Sequence, residues 1–199
     1  MTSGVEDRDL IEELQSGSLE ALGVLYDRHR NMVYRTALAI SGDREAANDL
    51  LQDVFLRLYR YAKHVDLERP LEPWLYRMTA NLTYTWVKRN HRGLRLIEEV
   101  AEWFAAGNGK NSPHELAEEN DEWEQVQMAL SNLPLAQRIV VVLYYLNELS
   151  LQEISETLEV PVGTVKSRLH YGRLALQKSL NTHPQIEGHS LREFKYEGT

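Results

Sequence analysis

The 199-residue chain contains no cysteine. This excludes disulfides and thiolate metal sites and suits a reducing compartment. No apolar run approaches the roughly 18 residues that a membrane span needs; the longest, RIVVVLYYL at 138–146, is bounded by polar residues. No segment alternates apolar and polar residues as a half-buried strand does, and no Asn-Gly hairpin joins two such segments. Internal repeats and low-complexity tracts are lacking as well. The opening MTSGVEDRDLIEEL is acidic where a secretory leader carries positive charge before an apolar stretch, so the expected location is the cytoplasm, without membrane insertion. The seven histidines are scattered, and no Glu-x-x-His pair recurs to build a carboxylate–histidine centre in a helical bundle. Neither a cofactor nor a metal is expected.

What is present is helical. Ser18 can cap a helix reaching about Ile40, and Ser41-Gly42-Asp43 stops it and starts the next. That next helix, to about Ala62, shows Leu51, Val54, Phe55, Leu58 and Ala62 at the three-four spacing of one buried stripe. Residues His64 to Pro73 hold two prolines and mixed charges and read as a loop, with Pro73 in the first turn of a helix continuing to about Arg92. Ala105 to Pro113 (AAGNGKNSP) reads as linker, and Ser112 with Glu115 forms a capping box with Pro113 at the first helical position. A further helix is expected from near Pro134 to Leu146. Ser150 and Glu153 form a second capping box for a short helix to Leu158, and Pro161 leads a last helix ending near Leu180. The end, 181–199, lacks sustained periodicity and reads as a mobile tail. The expected fold is all-α: two small helical domains, at 1–96 and 126–180, joined by a flexible acidic linker at 97–125.

Charge is unevenly spread. The net charge is −8, and Glu98 to Glu124 holds nine acids against Lys110 alone. Lys88 to Arg95 and Val160 to Leu180 carry bases and no acid. In VPVGTVKSRLHYGRLAL (160–176), Val165, Leu169, Gly172 and Leu176 share a narrow arc at 100° per residue. Ser167, Tyr171 and Lys178 lie opposite, with Lys166 and His170 on one shoulder. Two helices separated by about three residues, the first short, form a helix-turn-helix, whose second helix packs by one side and offers the other to a DNA groove. An acid there would be repelled by phosphates. Glu159 stands at the turn position where a left-handed backbone favours glycine. From the pattern alone an ordinary bundle with a solvated cationic face remains open, as does an operator-binding regulator that acts as a dimer.

Three stretches carry a resemblance. NLPLAQRIVVVLYYLNELSLQEISETLEVPVGTVKSRLHYGRLALQKSL resembles the C-terminal DNA-binding domain of bacterial sigma factors of the extracytoplasmic-function (ECF) group of the sigma-70 family. AANDLLQDVFLRLYRY resembles that family's polymerase-binding helix, and EPWLYRMTANLTYTWVKRNHR its melting helix. The resemblance spans roughly residues 7 to 180. It implies a non-enzymatic protein that joins core RNA polymerase, through the clamp coiled coil and the flap of the large subunits, and directs it to promoter DNA. An anti-sigma factor is the further partner implied.

Carried over by position, the resemblance assigns polymerase contact to Asp49, Gln52, Asp53, Leu56 and Arg57. It assigns the opened minus-ten element to Leu67, Glu68 and Arg69 in the loop, with Arg77, Asn81, Tyr84, Lys88 and Arg89 on the following helix. Aromatic surface beside cations suits single strands, and the Asn81 amide both donates and accepts. The minus-thirty-five duplex falls to Thr164, Lys166, Ser167, Arg168, His170 and Tyr171. Tyr144 stands where relatives often carry arginine, which removes one expected contact. Trp74 is expected in the core with Met78 and Leu82. The acidic linker is expected to thread the polymerase cleft as a nucleic-acid mimic.

Overall fold

The computed structural model describes residues 6–104 and 121–181. Eight α-helices run through them: α1 (Asp7–Gln15), α2 (Leu19–Ser41), α3 (Arg44–Tyr61), α4 (Leu71–Phe104), α5 (Asp121–Ser131), α6 (Leu135–Tyr145), α7 (Leu151–Leu158) and α8 (Val162–Asn181). No strand occurs among the described residues. The Ser112–Glu115 capping box, the middle of the expected linker and the tail lie outside them.

Local chemistry sets the boundaries. The Ser18 hydroxyl accepts from the Ala21 N–H at 3.2 Å and opens α2. Gly42 ends that helix at φ 73°, a left-handed conformation that costs glycine nothing, and its N–H returns to the Leu38 carbonyl at 2.8 Å. Asp43 then caps α3 by accepting from the Ala46 N–H at 2.9 Å. A 3-10 turn, Ala62–His64, leads into the loop. α4 starts at Leu71, so the loop is shorter than expected: Leu71 and Leu75 are buried one turn apart and draw the chain into the helix before Pro73. Pro73 still sits within the first turn. α4 also continues past Arg92 to Phe104, because nothing stronger than the single Gly93 interrupts it before Gly107. The expected linker 97–125 is therefore helical at both of its ends.

Two helical domains result. The first buries Leu10, Ile11 and Leu14 of α1 against Leu25 and Val33 of α2, Val54, Phe55 and Leu58 of α3, and Leu71 and Leu75 of α4. Trp74, Met78 and Leu82 pack against this core, as their spacing implied. Asp7, the first residue of α1, holds α1 to α2 by an ion pair with Arg28 and a 2.6 Å hydrogen bond with the ring of the buried His29. The second domain buries Ile139, Val140 and Leu143 of α6, Ile154 of α7, and Val165 and Leu169 of α8. Its core does not stop at the domain edge: Ala39 and Ile40 of α2 and Ala80 of α4 belong to the same cluster.

Polar contacts cross the same boundary. Arg138 of α6, 5% exposed, donates to the Ile40 carbonyl at 2.8 Å and to the Ser131 and Leu133 carbonyls at 2.6 and 3.2 Å. The buried Thr36 hydroxyl accepts from the Asn147 amide at 2.9 Å while donating to its own helix at the Met32 carbonyl, 2.8 Å. The exposed Arg77 of α4 pairs with Glu159 at 2.7 Å. The helix-turn-helix therefore lies folded onto the first domain.

Candidate nucleic-acid and polymerase interfaces

The α7–α8 pair is built by its turn. Ser150 accepts from the Glu153 N–H at 3.2 Å, and the Glu153 carboxylate accepts from the Ser150 N–H at 2.8 Å. These bonds hold the Glu153 carboxyl below its ordinary pKa. Glu159 adopts φ 53°, ψ 44° and its N–H bonds to the Ser155 carbonyl. The left-handed turn is thus made by a residue with a Cβ. The Ser155 hydroxyl seals it by donating to the Val160 carbonyl at 2.6 Å.

α8 then divides as its sequence implies. Val165, Leu169 and Gly172 are buried and Leu176 is half-buried, whereas Lys166, Ser167, His170 and Tyr171 are exposed and Thr164 and Arg168 half-buried. Tyr171 is 60% exposed, with its ring edge-on to His170 at 5.3 Å. The Ser167 hydroxyl donates to the Thr164 carbonyl at 3.0 Å. Gly172 lets α8 lie close against α6: a Cβ there would meet Val141 Cγ2 at 2.7 Å. Tyr144 stacks edge-on with Tyr145 at 4.9 Å against the second core. Leu174 is 50% exposed on the outward side beside Tyr171, half a circle from Val165 at 100° per residue.

On α4, Arg77, Asn81, Lys88 and Arg89 are exposed and Tyr84 is half-buried against the cluster that includes Ala80, with the Lys88 ammonium 4.7 Å from its ring centre. Tyr76 joins Tyr84 there, and burial, then nearby Glu72, pushes its phenol pKa up. The three loop candidates separate. Leu67 is half-buried against the first core, while Glu68 and Arg69 are exposed and pair with Arg8 and Asp66, each at 3.3 Å.

On α3, Asp49, Gln52, Asp53, Leu56 and Arg57 all lie on the exposed side. Of the apolar residues that spread around this helix, Leu50, Leu51, Val54, Phe55 and Leu58 are buried, Leu50 in a small cluster with Ala37, Leu38, Ala46 and Ala47. Leu56, 50% exposed, is left outward. Tyr59, exposed one turn on, lies beside Leu56; the three-residue step between them was legible in the sequence.

Among the described residues, the ligand atoms of Asp7, His29 and Glu72 lie within 4.8 Å of one another. The Asp7 oxygens are already engaged by Arg28 and His29, so the group serves as a tie between helices. No helix among the described residues is long and apolar enough to cross a membrane.

The class follows from matches that coincide with the two domains. Residues 25–93 match the family model for sigma-70 region 2, and residues 123–176 that for sigma-70 region 4. The ECF RNA polymerase sigma factor SigW of Bacillus subtilis is 33% identical over 178 residues, covering 85% of this chain and 94% of that protein. SigE of Mycolicibacterium smegmatis, another ECF sigma factor, is 35% identical over 160 residues, covering 80% of this chain and 61% of that one. The fold matches CnrH, solved with the cytosolic domain of CnrY, at TM-score 0.66 and 24% identity over 89% of this chain and 98% of that one. It also matches the Bartonella quintana sigma factor RpoE, solved with the anti-sigma factor NepR, at TM-score 0.60 and 21% identity over 77% and 92%. The chain belongs to the ECF group of the sigma-70 family, and it acts with RNA polymerase in transcription initiation.

Proposed function

We propose that this sigma factor reads the minus-thirty-five element as duplex with the outward face of α8 and captures the opened minus-ten strand with α4 and the loop before it. It then divides at 1–96 into a polymerase-binding and melting module, at 97–125 into the acidic connector, and at 126–180 into the duplex-reading module; 181–199 is an extension. The observation that carries the reading is the division of α8. Lys166, Ser167, His170 and Tyr171 stand exposed on a helix without an acid, over a side locked to α6 at Gly172. Lys166 and His170 are within reach of base edges and Arg168 and Thr164 of phosphates. On α4, the Asn81 amide is the base-reading group and Arg77, Lys88 and Arg89 hold the strand, with Tyr84 as stacking surface.

The exposed side of α3 around Leu56 docks on the clamp coiled coil, as an amphipathic helix does in a partner's groove, and the second domain meets the flap. Work takes place in the cytoplasm, with an anti-sigma factor as regulator, by analogy with relatives solved in such complexes. Run-off transcription with purified core polymerase on a promoter library tests the whole reading. Asn81→Ala holoenzyme should bind the selected promoter yet show little permanganate reactivity at minus ten. Lys166→Ala should lose roughly 5- to 150-fold in promoter affinity if it reads a base. Normal melting by the first variant, or an equal loss by the second on scrambled upstream sequence, contradicts the assigned roles.

A further inference from the structure

In the second domain α5, α6 and α8 do not close completely on one another. A cavity of about 560 Å³ opens between them, walled by Val126 of α5, Val141 and Tyr145 of α6, and Arg173, Leu176 and Leu180 of α8. Val126 is 36% exposed and Leu176 and Leu180 are only half-buried, so apolar surface of core type is left open. Beside it, Gln125 Oε1 is buried without a hydrogen-bond partner among the described residues, a state that folded chains rarely leave unrelieved. Gln125 shares a smaller cavity, about 200 Å³, with Ser179 and Leu180. Leu180 thus lines both cavities, and α8 ends one residue later at Asn181. The chain beyond 181 therefore starts at this groove.

Residues 182–199 carry side chains that suit it. Ser190-Leu191-Arg192-Glu193 has the spacing of a capping box. A helical turn opened by that box sets Leu191 and Phe194 about 60° apart on one side, with Arg192 and Glu193 on the other. A single turn is too short to register as sustained periodicity. Glu197, one turn after Phe194, flanks the apolar side and suits Arg173 in the groove wall. The connection is long enough: residues 182–190 span up to about 30 Å when extended, against about 10 Å of α8 from Arg173 to Leu180. Pro184 and Gly188 favour a turn back. The segment 105–120, by contrast, offers Leu116 as its one large apolar side chain. We propose that residues 182–199 fold back on their own domain and seat Leu191 and Phe194 in the groove between α5, α6 and α8. A backbone N–H just after Asn181 then donates to Gln125 Oε1. The groove is filled in cis, and the extension becomes a wall of the second domain, whichever DNA element α8 reads.

Methyl NMR spectra of the full chain, labelled at valine and leucine, read the groove directly. In wild type the Phe194 ring should displace the Val126 and Val141 methyl resonances. Phe194→Ala should return them, cutting the docked-to-free ratio roughly 10- to 150-fold, the factor for burying one large apolar side chain. Arg192→Ala, on the outer side of the turn, should leave the resonances as in wild type. Methyl resonances indifferent to Phe194→Ala overturn the proposal, and so does an equal change in both variants, which would show no seated ring. Photo-crosslinking of the full chain with p-benzoylphenylalanine in place of Phe194 then identifies the source of the occupant. Links within one chain to α5, α6 or α8 support docking in cis. Links between two copies, links to residues 105–120, or no links at all overturn it.

Discussion

Arg138→Met tests how this fold tolerates a buried cation. Among the described residues no carboxylate pairs with the guanidinium; three carbonyls solvate it, from Ile40 at the end of α2, Ser131 at the end of α5, and Leu133 just beyond. Helix C-termini carry partial negative charge, so one side chain serves two helix ends and joins the two domains. Desolvation is felt, since burial lowers the Arg138 pKa. Methionine removes that penalty, which amounts to several kcal/mol for an isolated buried ion. Against this, three charge-assisted bonds worth roughly 1.5–3 kcal/mol each are lost, and buried carbonyls left without a donor cost about 1–3 kcal/mol each. The second effect wins because the carbonyls stay in place when the cation goes. We expect a net loss of about 2–4 kcal/mol, near the upper end of single-site effects. Urea unfolding followed by circular dichroism, with an unchanged denaturant slope, measures it. Arg138→Lys should recover only part, because one ammonium replaces a planar fork. A methionine variant as stable as wild type, or more so, refutes the reasoning.

Gly172→Ala should destabilise by about 1–2 kcal/mol: overpacking against Val141 costs about 1–3 kcal/mol, and helix propensity returns up to about 1. Adding Val141→Ala should then cost less than it does in wild type, which a double-mutant cycle in thermal unfolding reads. The Glu153 carboxyl is held below its ordinary pKa by the Ser150 bonds, so its stabilising effect is complete above the unfolded-state value and fades as pH falls through the lowered one. Melting temperatures of wild type and Glu153→Gln should therefore differ at neutral pH and converge in acid. A constant gap contradicts the capping box as its source.

Much of the fold was legible because its boundaries are local. Ser18, Gly42, Asp43 and the Ser150–Glu153 box each act within a few residues, and the structure shows each of them as expected. The outward and inward sides of α8 followed from angular spacing alone. What the sequence hid depends on distance along the chain. The Arg138 partner Ile40 lies 98 residues away, so Arg138 reads as one more helix charge until the fold brings them together. Leu50 lies outside the stripe read from the α3 spacing, yet it is buried with Ala46 and Ala47 of its own helix and Ala37 and Leu38 of α2. Glu159 was legible as an oddity of the turn; its ion-pair partner, Arg77, stands 82 positions earlier in the chain.

Three of the buried threonines, Thr36, Thr79 and Thr83, fall into two kinds. Thr79 and Thr83 return their hydroxyls to their own helix, to the Leu75 and Thr79 carbonyls at 2.7 Å, carbonyls that α4 already engages through its backbone. Exchange for valine or alanine strands no donor, and inheritance can drift at both sites independently. Thr36 also bonds its own helix, yet its oxygen accepts from an amide 111 residues away. Either residue changed alone leaves the other without its match, so the pair is expected to be kept or replaced together as the lineage diverges.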